Sequence, residues 1–212
     1  MESLDPLLVI VLLLNFVVLG ASRVRTVISA AAAQGVALGG LVLFAHHDFG
    51  LRILALAAGA VFLKTIVIPS MLDKAMRDAS IRREVDPYVR FTTSLLLGAV
   101  ATALSLLFSG TLPLASEHAG SMMVPASFST ILTGFIMLTT RRKAIMQVVG
   151  YLILENGIFI FGMLLLEAMP FLVEVGVLLD LFVGIFVMGI IVHHISRTFS
   201  SLDTGHLTAL KD

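Results

Sequence analysis

The sequence predicts an all-α integral membrane protein, a bundle of seven transmembrane helices with the N-terminus outside and the C-terminus cytoplasmic. Three observations predict it. Of the 212 residues, 58% are hydrophobic and only 13% charged, whereas a soluble domain carries about a quarter charged. The mean hydropathy is +1.04, and the apolar residues fall into seven runs separated by polar connections, the pattern of membrane helices. The basic residues gather in alternate connections, as the positive-inside rule requires of a chain that weaves through a bilayer. The formal net charge is zero, so no basic excess favours nucleic acid. The lack of cysteine excludes disulfides, thiolate zinc sites and ordinary iron–sulfur ligation in this chain.

The first span, Leu7–Gly20, is apolar apart from Asn15. An acidic segment, Met1–Pro6, precedes it and Arg23 and Arg25 follow it. That polarity is opposite to a secretory signal, so the span reads as retained. The second, about Thr26–Ala45, carries Gly35 and Gly39 at the spacing that lets helix backbones approach. Gln34 sits near its middle and needs a partner there. His46-His47-Asp48 follow and read as solvated turn residues, with metal ligation as the alternative. The third span, about Leu51–Leu72, holds Lys64 near its midpoint. Either the side chain snorkels to the interface or it meets an internal partner. Pro69, near the end, can be absorbed as a kink.

Asp73–Arg90 is the long polar stretch. Leu72, Ala75, Met76 and Ala79 recur in it at helical spacing among charges of both signs, which suits an amphipathic helix on the membrane face or docked on a neighbour. The fourth span, about Phe91–Leu112, aligns Ser94, Gly98, Thr102, Ser105 and Ser109 on one face, a stripe for helix contact. The fifth, about Met122–Thr140, ends at Arg141-Arg142-Lys143. The sixth runs about Ala144–Ala168 with Glu155 and Asn156 near its middle, and the seventh about Phe171–Ile195 with Asp180 inside it. The chain divides as a single membrane domain into an N-terminal three-helix set (1–72), an amphipathic linker plus spacer helix (73–121), a second three-helix set (122–197) and a cytoplasmic tail (198–212).

With the N-terminus outside, the inner segments hold twelve Lys and Arg residues and the outer ones only Arg52. At about 1.5 Å per residue, Glu155 and Lys64 lie roughly 19 Å, and Asp180 roughly 14 Å, from the outer ends of their helices. Three ionisable residues thus share one slab near the midplane. A charge at that depth costs about 2.5–3.5 kcal/mol even on a lenient scale, so it faces a bundle interior or a water path and marks function by default. Gly176 and Gly184 lie one turn either side of Asp180 and leave room beside its carboxyl. Burial disfavours a charged carboxyl and a nearby ammonium favours it. An acid balanced between them can take up and release protons. The alternative is a buried Lys64–carboxylate bridge that only fixes packing.

Val149-Gly150-Tyr151-Leu152-Ile153-Leu154-Glu155-Asn156-Gly157, with Asp180-Leu181-Phe182-Val183-Gly184-Ile185, resembles the three-helix K subunit of respiratory complex I over roughly Ser127–Ser196. Asp180 stands where that family has a second glutamate. The Glu155-Asn156-Gly157 triplet, the span count and the tail Leu202-Asp203-Thr204-Gly205-His206-Leu207 are similar to component E of the hydrogenase-4 and formate hydrogenlyase complexes over essentially the whole chain. The resemblance implies a non-catalytic membrane-arm subunit of a group 4 nickel–iron hydrogenase in a bacterial or archaeal cytoplasmic membrane. It implies antiporter-like and other hydrogenase subunits as partners, no cofactor in this chain, and nickel–iron and iron–sulfur centres in those partners. Glu155, Asp180 and Lys64 are then the expected proton-transfer residues, supported by Asn156, Gly176, Gly184 and Gln34. His193 and His194 are candidates for proton access from the cytoplasm. The rival readings are a subunit of a multisubunit cation/proton antiporter and a structural spacer.

Overall fold

The computed structural model describes residues 4–45, 58–59, 61–78, 84–112, 121–165 and 182, and every regular element among them is helical. Helix α1 spans Asp5–Gly20 and α2 Val24–Ala45. A π-helical turn, Leu63–Val67, leads directly into α3, Ile68–Asp78. Then come α4 (Phe91–Ser109), α5 (Met123–Thr140) and α6 (Ala144–Leu165). Among the described residues four helices, α2, α4, α5 and α6, are long and apolar enough to cross a membrane. Helix α1 is apolar but, at 16 residues, shorter. The seventh predicted span, apart from Phe182, lies outside the described residues.

The antiparallel pair α5–α6 is the spine. Three glycines let its two backbones meet. A Cβ on Gly134 would come 2.6 Å from the backbone nitrogen of Leu154, and one on Gly157 would come 2.6 Å from that of Ile131. One on Gly150 would lie 2.8 Å from the Met137 Cβ. The glycine of the Glu155-Asn156-Gly157 triplet is therefore a packing residue, and it holds the face bearing Asn156 and Glu155 at a set height against α5. Helix α1 packs on α5 and α4, and α2 on α6. The stripe expected on α4 faces inward: Ser94, Gly98, Ala101 and Ser105 are buried, and Thr102 shares a 2.8 Å hydrogen bond with Ser129 of α5. Its other face exposes Leu96, Leu97, Val100, Leu104 and Leu107.

Pro69 explains the π-turn. Proline has no N–H for the carbonyl of Thr65 four residues earlier, and its ring crowds that carbonyl. The helix widens instead, and the Ile68 N–H bonds back five residues to Leu63. The expected kink thus takes the form of a wide turn, and Lys64 lies in it. Helix α3 continues past Leu72 into the polar stretch, and its apolar side is covered by protein: Leu72 and Met76 join Ile145, Met146 and Val85 in one buried cluster. The amphipathic helix expected within Asp73–Arg90 is described as far as Asp78, residues 79–83 lie outside the described residues, and Glu84–Arg90 is non-helical, with isolated bridges from Arg23 to Glu84 and from Pro87 to Arg141.

Arg141, in the turn between α5 and α6, is fully buried. Its guanidinium donates to the Leu19 carbonyl at 2.8 Å and to Ser94 Oγ at 3.3 Å, and lies 5.6 Å above the Phe91 ring. Leu19 is in the last turn of α1, where carbonyls lack helical partners and carry the negative end of the helix dipole. One cation thus ties the end of α1 to the start of α4 and the α5–α6 turn. Burial pushes the Arg141 pKa down from its ordinary value.

Gly134→Val should lower the thermal unfolding midpoint of the detergent-solubilised chain, with overpacking worth about 1–3 kcal/mol. Gly162→Ala, where a Cβ meets nothing within 4 Å, should leave it unchanged or raise it. Arg141→Lys should not restore what Arg141→Met loses, because a single ammonium lacks the planar fork that reaches Leu19 and Ser94 together.

Candidate functional site: a polar layer between two apolar clusters

Two apolar clusters fill the bundle. One holds Val18, Val27, Ile28, Met137, Ile145 and Ile153, the other Leu8, Leu12, Ala37, Leu38, Ala126 and Ile160. The buried polar residues Asn15 of α1, Gln34 of α2, Thr130 of α5 and Glu155 and Asn156 of α6 fall between them in sequence on every helix. An amide or hydroxyl buried without a hydrogen bond costs about 1–3 kcal/mol, so these side chains find one another. Asn15 Nδ2 donates to Thr130 Oγ1 at 2.9 Å. Gln34 Nε2 donates to Asn15 Oδ1 at 2.7 Å and to the Val11 carbonyl at 3.3 Å. Asn156 Nδ2 donates to Gln34 Oε1 at 3.3 Å. Four helices are thereby joined through side chains at one level.

The charged members stand at one end. Lys64 Nζ lies 3.6 Å from Glu155 Oε2, with the two side chains 12% and 3% exposed. The ammonium also sits 5.7 Å from the Phe159 ring centroid, one turn along α6 from Glu155. The π-turn reaches this position because α2 is narrow where it passes. A Cβ on Gly35 would lie 3.1 Å from Thr65 Oγ1 and 3.5 Å from the Lys64 Cβ, and one on Gly39 would lie 2.9 Å from Val61. The Gly-x-x-x-Gly of the second span is the seat for the helix that carries Lys64.

Of the residues singled out from the sequence, the structure brings Lys64 to Glu155 and Gln34 to Asn156. Asp180, Gly176, Gly184, His193 and His194 lie outside the described residues. Asn15 and Thr130 were not anticipated. Asn15 is the lone interruption of the first apolar run, and a polar side chain in such a run demands a partner; Thr130 sits among hydroxyl-bearing neighbours and carries no comparable signal. Among the described residues no group of three His, Asp or Glu side chains could hold a metal ion.

No family model matches the chain, and no solved structure matches it. The uncharacterized protein Rv0085 of Mycobacterium tuberculosis is 31% identical over 192 residues, 89% of this chain and 86% of that protein. Hydrogenase-4 component E of Escherichia coli is 28% identical over 166 residues, 76% of this chain and 74% of that protein, and the Shigella flexneri component E matches to the same extent. The chain belongs to the family of Rv0085. The match to component E agrees with the resemblance read from the Glu155-Asn156-Gly157 triplet and the tail, and with a membrane protein of apolar helices.

Gln34→Leu should destabilise the solubilised chain by about 1–3 kcal/mol for each group it orphans, Asn15 Oδ1 and Asn156 Nδ2 being two. Thermal unfolding in detergent measures this. The Asn15→Leu/Gln34→Leu double variant should lose less than the sum of the single losses, because the two residues share one bond.

Proposed function

We propose that this chain is a non-catalytic membrane-arm subunit of a group 4 multisubunit nickel–iron hydrogenase, and that it contributes buried ionisable groups to a lateral proton path coupled to hydrogenase turnover. The observation that carries the reading is the buried Lys64–Glu155 pair, 3.6 Å apart inside the bundle, in a chain whose relatives include hydrogenase-4 component E. A pair of opposite charges withdrawn from water is poor evidence of stabilisation, because desolvation offsets much of the attraction. Exchange of a proton between the two groups gives it a use. Glu155 and Lys64 are the exchanging groups, Asp180 on the seventh predicted span is the next acid along the path, and His193 and His194 give access from the cytoplasm. Gln34 and Asn156 hold the pair's surroundings in place, and Gly176 and Gly184 give Asp180 its room. In this reading the 122–197 helix set corresponds to the K subunit of complex I, the seven spans start outside and end in the cytoplasm, and antiporter-like subunits are neighbours. The redox centres belong to other subunits of the complex.

Lys64 also decides between relay and packing bridge. In the intact complex, Glu155→Gln should assemble but lower proton-coupled turnover by about tenfold or more, in the range that losing an acid–base group brings. Lys64→Met/Glu155→Gln removes both charges and should recover stability lost by either single variant, while turnover stays low. A double variant with wild-type turnover would leave the pair a structural bridge and refute the relay. Asp180→Asn should lower turnover of the assembled complex.

A further inference from the structure

The amide chain has a direction, and that direction is set from one end. A hydroxyl has a single proton to donate, and Thr130 spends it on the Ala126 carbonyl at 2.7 Å. Thr130 Oγ1 can therefore only accept from Asn15, so Asn15 turns its NH2 that way and its Oδ1 towards Gln34. Gln34 donates to Asn15 and Val11 and is left with Oε1 for Asn156. Asn156 donates in turn and is left with Oδ1. That oxygen is buried and has no hydrogen-bond partner among the described residues, on a residue only 2% exposed.

Asn156 and Lys64 line one cavity together with Ile28 and Ala31 of α2, Pro69 and Leu72 of α3 and Leu152 of α6, with a volume of about 10 Å³. That is close to the least space in which a single water fits. The chemistry of the walls selects the occupant. Asn156 Oδ1 needs a donor, the aliphatic walls supply none, and the Lys64 ammonium brings donors and no acceptor. Water meets both demands, giving a proton to the amide oxygen and receiving a hydrogen bond from the ammonium.

We propose that Asn156 Oδ1 and Lys64 Nζ hold one water in this cavity, and that this water exchanges protons with the Lys64–Glu155 pair. Only the second half rests on the proton path proposed above. In the step, a Lys64 N–H bond breaks as an O–H bond forms on the Glu155 carboxylate. The neutral amine then takes a proton from the cavity water once that water has received one from the path, an O–H bond of the hydronium breaking as the N–H bond re-forms. The net change is one proton moved from the water to Glu155, with Lys64 again an ammonium and Asn156 Oδ1 accepting from the water.

The test is X-ray hydroxyl-radical labelling of the native complex in H2(18)O, which tags side chains touching an ordered water. Leu72 and Leu152, both buried, should carry the heavy oxygen in the wild type, and the tag should fall to background in Ala31→Val, which fills the cavity without altering any polar group. Should that variant fail to accumulate, Thr130→Val provides the same readout, since it removes the hydroxyl that orients the amide chain and leaves the cavity walls intact. Unlabelled Leu72 and Leu152 in the wild type overturn the water site and leave the proton path standing. Loss of the tag with wild-type turnover, in a complex where Glu155→Gln is impaired, overturns the water's part in transfer. Loss of the tag together with turnover supports both halves.

Discussion

A hydrogen-bonding side chain in the middle of an apolar bundle has no solvent to turn to, and that constraint organises this molecule. Asn15, Gln34, Thr130 and Asn156 come from helices that neither cluster of aliphatic residues would place in a unique register, because one aliphatic contact is nearly as good as the next a turn away. Each amide accepts only a partner at hydrogen-bond distance, and a shift of one turn on any helix would strand at least two of them at about 1–3 kcal/mol each. The layer therefore sets the heights of α1, α2, α5 and α6 against one another. The aliphatic clusters above and below supply most of the cohesion, and the glycines of α5–α6 let those heights be held at close range.

Lys64 enters that layer by a different route. Its helix cannot run straight past Pro69, and the π-turn that results occupies the side of α2 made narrow by Gly35 and Gly39. A proline and two glycines, none of them chemically reactive, together decide where an ammonium stands. π-Turns often coincide with functional positions, and the geometry here gives a reason. The extra residue in the turn changes which side chain faces inward, so an ordinary α-helix through the same segment would present a different residue to Glu155.

Much of this was legible in the sequence, and for identifiable reasons. The helical class followed from hydropathy, and the helices found long enough to cross a membrane match runs read as spans. Lys64, Glu155, Gln34 and Asn156 stood out because each is costly where it lies. The pairing of Gln34 with Asn156 rather than with an ion was not legible, since one-dimensional depth says nothing of azimuth. The burial of Arg141 was not legible: it counted only as one of three basic residues in an inner connection, and it is buried under Phe91 with its fork in the α1 terminus, while Arg142 stacks on the exposed Tyr88 ring. Adjacent residues of the same charge serve opposite purposes, and only the fold distinguishes them.

The chemical character of the layer also limits what it can conduct. A carboxamide passes a proton along only by becoming its imidic acid, a form far less stable than the amide, so Asn15, Gln34 and Asn156 form a fixed chain of dipoles and not a wire. Among the described residues of this layer, Glu155 and Lys64 are the ionisable ones. The same fixed dipoles leave the Asn156 oxygen at the end of the chain, on a residue that lines one cavity with Lys64. A layer that holds four helices in register thereby also frames the site of the proton exchange proposed for Lys64 and Glu155.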